Sequence, residues 1–291
     1  MEISILIVTK GRPDEVGITL NKVRRCIDLS VHEVRVFIDG CKKTESIIKN
    51  FPWVKWKISE KSVGASPARH LLYKEAKGAI LIGLDDDAHI VTSNAITLIE
   101  NKFNLNPNLG IIAFKEVKGV FESDNLIGVL EKKAEYLTTE FIGCGFAVKR
   151  KVYLETRGFP LWIDIYGEES CVSMEVLDLG YDILYTNAIV VNHRIDRAKR
   201  RLQGRNYYRF ERQLRNSCRI FLVYYPNPIM RILKLLLHNF KKYALSDAVY
   251  FKLYWKAVGN MIFTFFYILK FRRPIQKVTQ NRIRKLKNVP Y

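Results

Sequence analysis

The chain has 291 residues, 48% hydrophobic and 26% charged, an ordinary globular balance with room for one large domain or a domain and an appendage. Its net charge of +19 is unevenly placed: residues 192–291 hold 24 lysines and arginines against 3 acids, whereas residues 1–191 hold 24 against 26. A near-neutral body with so basic a C-terminal third seeks phosphate, whether of nucleic acid, anionic lipid or a diphosphate ligand. Five scattered cysteines without a C-x-x-C pair exclude a disulfide framework and a cysteine zinc site, and favour a reducing compartment. The opening MEISILIVTKGRP starts a strand at once, with no basic n-region or cleavage site, so no signal peptide is expected.

In chain order, ISILIVT (3–9) reads as a buried strand, GRP as a turn, and 15–28 as a helix. EVRVFID (33–39) is a second strand and WVKWKIS (53–59) a third. Residues 67–76 read as a helix with Pro67 near its first turn, and AILIGLD (79–85) as the fourth strand. Strands alternating with helices predict a mostly parallel sheet with helices on both faces, and a ligand beyond the carboxyl ends of the strands. The first, second and fourth strands end at Thr9-Lys10-Gly11-Arg12, Asp39-Gly40 and Asp85-Asp86-Asp87. Those ends should converge on one crevice.

Three consecutive acids at a strand end repel one another unless a cation lies there. Alternate residues of an extended segment point the same way, so Asp85 and Asp87 can face one ligand with Asp86 turned aside. Oxygen ligands of this kind suit Mg²⁺ or Mn²⁺, which share their shell with substrate phosphates. A helix N-cap or a solvated turn would use the same residues without a metal.

The ordered set of motifs resembles the family 2 glycosyltransferases of the GT-A fold, over roughly residues 3–194. It comprises Ile7-Val8-Thr9-Lys10-Gly11-Arg12, Phe37-Ile38-Asp39-Gly40, Gly64-Ala65-Ser66-Pro67-Ala68-Arg69, Ala76-Lys77-Gly78 and Asp85-Asp86-Asp87. Further on come Gly143-Cys144-Gly145, Lys149-Arg150-Lys151, Gly158-Phe159, Gly167-Glu168-Glu169, Gly180-Tyr181 and a strand ending in Asn192-His193. Two positions depart from the family pattern: Ile38 stands where an acid often precedes the strand-ending aspartate, and the family's E-D pair is Glu168-Glu169.

The resemblance implies an inverting, metal-dependent transfer of a hexosyl or deoxyhexosyl group from a nucleotide-diphosphate sugar, a UDP- or dTDP-sugar, to a glycan or lipid-linked acceptor of cell-envelope polysaccharide synthesis. It implies that Asp85, Asp87 and His193 hold Mn²⁺ or Mg²⁺, and that Thr9, Arg12, Asp39, Arg69 and Asp86 bind the donor. A base must take the acceptor's proton. Glu169 is the first choice and Glu168 the second, although carboxylates in a helix's first turn also simply complement its dipole. Trp162, Tyr166 and Gly143 are the expected acceptor-binding residues; the two aromatics read equally well as core. His193 reads otherwise as a surface histidine after a strand, and His89 as a supporting or structural residue. A nucleotidyltransferase also sets paired carboxylates on a metal, but it has no reason to carry the GEE and histidine segments. A basic nucleic-acid-binding protein is the non-enzyme alternative, and no groove-reading motif supports it.

The C-terminal third offers Arg205, Arg209, Arg212 and Arg219 on roughly one helical face, any of which could reach a donor diphosphate. Residues 229–243 form an amphipathic basic pattern, read either as a membrane-surface helix or as one packed on the body. Residues 257–271 are apolar but too short to span a bilayer. The last basic stretch reads as mobile. The expectation is therefore a GT-A-like α/β domain over 1–200, Rossmann-like and mostly parallel. A helical, basic, membrane-associating region over 201–291 would follow, placing the protein in the cytoplasm on the inner face of the cell membrane.

Overall fold

The computed structural model describes residues 2–127, 132–196, 202 and 204–290. The first four strands are β1 (Ile3–Thr9), β2 (Glu33–Asp39), β3 (Lys55–Ser59) and β4 (Ile80–Asp85), all mutually parallel. Three of them fall within a residue of the sequence expectation, because apolar, β-branched runs buried on both faces leave little room for slippage. Between them run α1 (Pro13–Cys26), the short α2 (Lys42–Glu45) and α3 (Ala65–Glu75).

After β4 the chain turns at Asp86-Asp87 directly into β5 (Ala88–Ile90), then α4 (Ala95–Leu105), β6 (Leu109–Lys118), β7 (Glu135–Leu137), β8 (Gly145–Lys149), α5 (Arg150–Glu155), α6 (Glu168–Asp178) and β9 (Asp182–His193). The nine strands form one sheet in the order β3-β2-β1-β4-β8-β6-β9-β5, with β7 added against β9. β8 is antiparallel to both β4 and β6.

One register shift matters for function. β9 runs parallel to β6, but after Phe114↔Thr186 the pairing resumes at Lys115↔Val190. The far end of β9 then pairs with β5, placing His193 opposite Ala88. A histidine more than a hundred residues from the acid triplet is thereby brought beside it.

The C-terminal region is helical: α7 (Tyr207–Tyr224), α8 (Pro228–Lys242), α9 (Ala248–Phe263), α10 (Phe265–Leu269) and α11 (Lys277–Ile283). It shares its core with the body. Trp162, Ile163, Cys171 and Met174 pack with Ile220, Val223, Tyr224, Ile268 and Ile275 in one buried cluster. The last residues, expected to be mobile, are docked instead. Val289 is buried in the core of the sheet, Lys287 bridges Thr138, and Thr279 Oγ1 donates to Asp178 Oδ1 at 2.6 Å. Several basic side chains tie this region down by donating to backbone carbonyls. Arg157 reaches Phe271 O at 2.6 Å, Arg272 reaches Leu222 O, and Arg219 reaches Trp162 O at 2.9 Å.

Candidate active site

The acid triplet divides its labour as the alternation predicts. Asp86, at the bend, turns inward and is almost wholly buried. It accepts from Thr9 Oγ1 at 2.8 Å and from Arg12 Nε at 3.1 Å, with Arg12 Nη2 closing a second bond. Burial and the neighbouring Asp87 lift its carboxyl to about 7 against the pull of Arg12. Arg12 also reaches Asp87 Oδ2 at 2.7 Å, so the motif after β1 and the motif after β4 are one network.

Asp85 and Asp87 lie together with His193. One ligand atom from each of the three falls within 4.8 Å of the others. His193 Nε2 lies 3.1 Å from Asp87 Oδ1, and its Nδ1 lies 2.6 Å from Glu116 Oε1. Burial works against charge on this ring, but the bonds to Asp87, Cys144 and Glu116 prevail and push its pKa up to about 12. The bond to His193, with Arg12, holds Asp87 well below the usual carboxylate range despite its burial. Two carboxylates and an imidazole are the hard-to-borderline donor set that suits Mn²⁺ or Mg²⁺. An ion among them would replace the proton on the nitrogen facing Asp87, leaving Glu116 to hold the other. Sequence reasoning missed Glu116. Its signal is the pairing of β6 with the end of β9, which depends on the register shift and cannot be read locally.

The second group of acids opens α6. Tyr166 has φ 71° and Gly167 has φ 101°, so two successive left-handed residues swing the chain abruptly into the helix. Glu168 and Glu169 are its first two residues and share the buried Arg69 guanidinium, from Nη1, at 3.2 and 2.9 Å. The other nitrogen, Nη2, donates to Asp85 Oδ1 at 2.6 Å. The two acids differ in access: 3% of the Glu168 side chain is exposed against 22% for Glu169. Burial and the neighbouring charge of Glu169 push the Glu168 carboxyl up, toward its neutral form, against the pull of Arg69. Gly143 is needed opposite: a Cβ there would overlap Glu169 Oε1 and stand 2.9 Å from Arg69 Nη2.

Two cavities meet on these residues. One, of about 350 Å³, lies at the carboxyl ends of β1, β2 and β4, and Thr9, Arg12, Asp39, Arg69 and Asp86 all line it. The other, of about 410 Å³, is lined by Gly143, Cys144, Glu116, His193 and Arg209 among others. Asp85, Tyr166 and Glu169 border both. Asp39 faces the first cavity with its carboxylate already engaged by Ser62 Oγ, Val63 N and Gly64 N at 2.6, 2.7 and 3.2 Å, and so fixes the loop before α3. Trp162 is a correction. Only 6% exposed, it packs against Phe271 and borders neither cavity, because α7 and α10 cover it.

The arginines of α7 separate likewise. Arg212 and Arg215 pair with Asp164 at 2.9 and 2.5 Å, Arg205 pairs with Asp247, and Arg219 is buried on Trp162 O. Arg209 lies over the Tyr166 ring, 5.2 Å from its centroid, and faces the larger cavity. His89 is structural, held by Asp124 at 3.0 Å and Arg194 at 2.9 Å.

No protein-family model matches the chain. An uncharacterized protein of Haemophilus influenzae is 29% identical over 177 residues, covering 54% of this chain and 92% of that one. Three solved structures resemble it at low identity. GalNAc-T7 with UDP, GalNAc and Mn²⁺ gives a TM-score of 0.62 at 17% identity over 80% of this chain, which spans about half (49%) of that longer one. S. aureus TarS 1-349 in complex with UDP-GlcNAc gives 0.60 at 14%, over 90% of this chain and 81% of that one. The mannosyltransferase PcManGT from Pyrobaculum calidifontis, in complex with GDP-Man and Mn²⁺, gives 0.58 at 14%, over 97% and 83%. The chain has the GT-A glycosyltransferase fold.

Proposed function

We propose that the protein is an inverting, metal-dependent glycosyltransferase that moves a hexosyl or deoxyhexosyl group from a UDP- or dTDP-sugar to a glycan or lipid-linked acceptor. The observation that carries this reading is the pair of cavities meeting at Asp85 and Glu169. A single-substrate hydrolase needs one such space; a transferase needs a donor site and an acceptor site that share their reacting residues.

The donor's nucleotide and diphosphate fit the cavity over the carboxyl ends of β1, β2 and β4, where ligands of open α/β sheets sit. An ion held by Asp85, Asp87 and His193 would act beside Asp85, where the two cavities meet, as a Lewis acid neutralising charge on the leaving diphosphate. The acceptor enters from the larger cavity. Glu169 takes the proton of its hydroxyl as that oxygen bonds to the anomeric carbon and the bond from that carbon to the diphosphate breaks. Arg69 fixes Glu169 relative to Asp85, and Gly143 leaves the room in which it stands.

The C-terminal helices supply a surface for the membrane that a lipid-linked acceptor requires. No described helix is long and apolar enough to cross a bilayer. The elbow between α9 and α10 carries Phe263 and Phe266, 90% and 79% exposed, with the exposed Lys256, Lys270 and Arg273 nearby in sequence. Exposed aromatic and cationic side chains together fit the headgroup boundary of an anionic membrane, the inner face of the cell membrane for a cytoplasmic protein.

Donor turnover across a nucleotide-sugar panel, with Mn²⁺, Mg²⁺ or excess chelator, tests the reading. Expected is metal-dependent release of nucleoside diphosphate from one donor class. Release of nucleoside monophosphate would indicate a nucleotidyltransferase, and full activity in chelator would remove the metal from the mechanism.

A further inference from the structure

Helix α7 carries Arg209, Gln213 and Ser217 four residues apart, which sets them on one stripe of the helix. All three line the cavity beside Glu169. All three also line a separate groove of about 370 Å³, formed between α7, α8 and α9. The stripe is thus a common border, along which the groove abuts the larger cavity on a side that includes neither Asp85 nor Glu169. Each space is of the size that takes one drug-sized ligand. Together they exceed what a single acceptor sugar needs.

The groove's chemistry narrows its occupant. Asn206, Gln213, Ser217 and Asn239 bring amides and a hydroxyl, Phe210, Tyr243 and Tyr250 aromatic rings, and Arg209 a cation; among the described residues no carboxylate lines it. Hydrogen-bonding groups beside aromatic faces match sugar hydroxyls and the apolar faces of pyranose rings. Asn206 Oδ1 and Asn239 Nδ2 are already engaged by backbone groups, so an acyl or prenyl chain laid there would chiefly desolvate the Arg209 cation, Gln213 and Ser217 without replacing hydrogen bonds, which is costly. The groove also ends against α8, where Leu235 lines it while Leu233 and Leu237 on that helix stand exposed.

We infer that the α7 stripe extends the acceptor cleft into a track for a glycan: the acceptor is an oligosaccharide whose units remote from the reacting hydroxyl lie between α7 and α8. This rests on the glycosyltransferase reading and specifies its acceptor. A monosaccharide acceptor would fill only the cavity at Glu169.

The test uses the full chain with UDP and Mn²⁺ and an array of defined oligosaccharides of one to six units. Within the series that binds, affinity should rise at least tenfold between disaccharide and tetrasaccharide. Ser217→Trp, which puts bulk at the junction, should abolish that rise, and the milder Gln213→Ala should reduce it about threefold. Calorimetric binding of UDP with Mn²⁺ should be unchanged in both. Length-independent affinity, no binding at any length, or a length dependence that survives Ser217→Trp would overturn the track. Failure of the unmodified chain to bind any nucleotide with Mn²⁺ would strike the catalytic reading instead, so the two failures are distinguishable.

Discussion

Glu169 and Asp85 are held by the two ends of one guanidinium: Arg69 Nη1 lies 2.9 Å from the first and Nη2 2.6 Å from the second. The carboxylate assigned to the acceptor's proton and the carboxylate assigned to the metal are therefore fixed relative to each other by one buried side chain. A lysine keeps the charge but has no planar fork to hold both. Arg69→Lys should lower kcat about a hundredfold, the usual consequence of misplacing reacting groups by about 1 Å. Circular dichroism and donor affinity would show whether the fold and the donor site survive. An unchanged kcat would mean that the shared guanidinium is only structural.

The two adjacent acids should behave differently. Glu169→Gln keeps shape and removes proton acceptance, so transfer should drop by about 10²–10⁴ with donor binding retained. Glu168→Gln should cost far less activity, because Glu168 is the more buried of the two and burial pushes its carboxyl toward the neutral form that glutamine imitates. Larger damage from Glu168→Gln would exchange the two roles.

Glu168 also predicts a slope in stability. Its pKa rises from 4.5 to about 8 on folding, so the folded state binds the extra proton. That contribution is fully present below about pH 4.5 and is lost as pH rises through about 8. Thermal unfolding across this window should show a decline in the unmodified protein that Glu168→Gln reduces, the remainder coming from Asp86, whose carboxyl is also lifted, to about 7. Identical pH profiles for the two proteins would contradict the assignment.

Glu116 holds His193 from behind, at 2.6 Å, while the opposite nitrogen faces Asp87. Supports of this kind orient an imidazole toward a metal, and their loss commonly costs 10–100-fold in affinity. Glu116→Gln should weaken Mn²⁺ binding by that factor, read by electron paramagnetic resonance of the free ion. Asp87→Asn should abolish it. Unaltered Mn²⁺ affinity in Glu116→Gln would show that the ring needs no such partner.

The sheet half of the candidate site was readable where chemistry is local. β1, β2 and β4 announced themselves by apolar runs, and Thr9, Arg12, Asp39, Arg69 and Asp86 line one cavity as the motif order implied. What stayed hidden depends on pairings between distant segments. Glu116 meets His193 only because β9 shifts register against β6. Trp162 is covered by helices that begin at Tyr207 and Phe265, far along the chain, so its access could not be read from its neighbours. The basic C-terminus misled in a more general way. Arg219 read as a candidate for the donor diphosphate and Arg282 as part of a mobile tail, yet Arg219 donates to Trp162 O and Arg282 to Tyr181 O at the seam with the body, and Val289 completes the core.

That seam decides how membrane binding must be tested. Truncation near residue 226 would remove Ile275, Thr279 and Val289 from buried positions and expose the body's own core, so loss of binding after truncation would say nothing about lipid. Surface substitutions avoid this. Phe263 and Phe266 touch water over most of their area, and Phe263→Ser with Phe266→Ser should leave the melting temperature unchanged. Burying a phenylalanine side chain contributes about 1.5–3 kcal/mol, so losing both from the headgroup boundary should weaken partitioning to anionic vesicles at least tenfold. Each lysine or arginine near such a surface adds about 1 kcal/mol, screened over a Debye length of about 8 Å at physiological salt. High salt should therefore loosen the unmodified protein only partly and release the double variant fully. Equal vesicle binding by both proteins, or none by either at low salt, would show that the exposed aromatic elbow serves another partner.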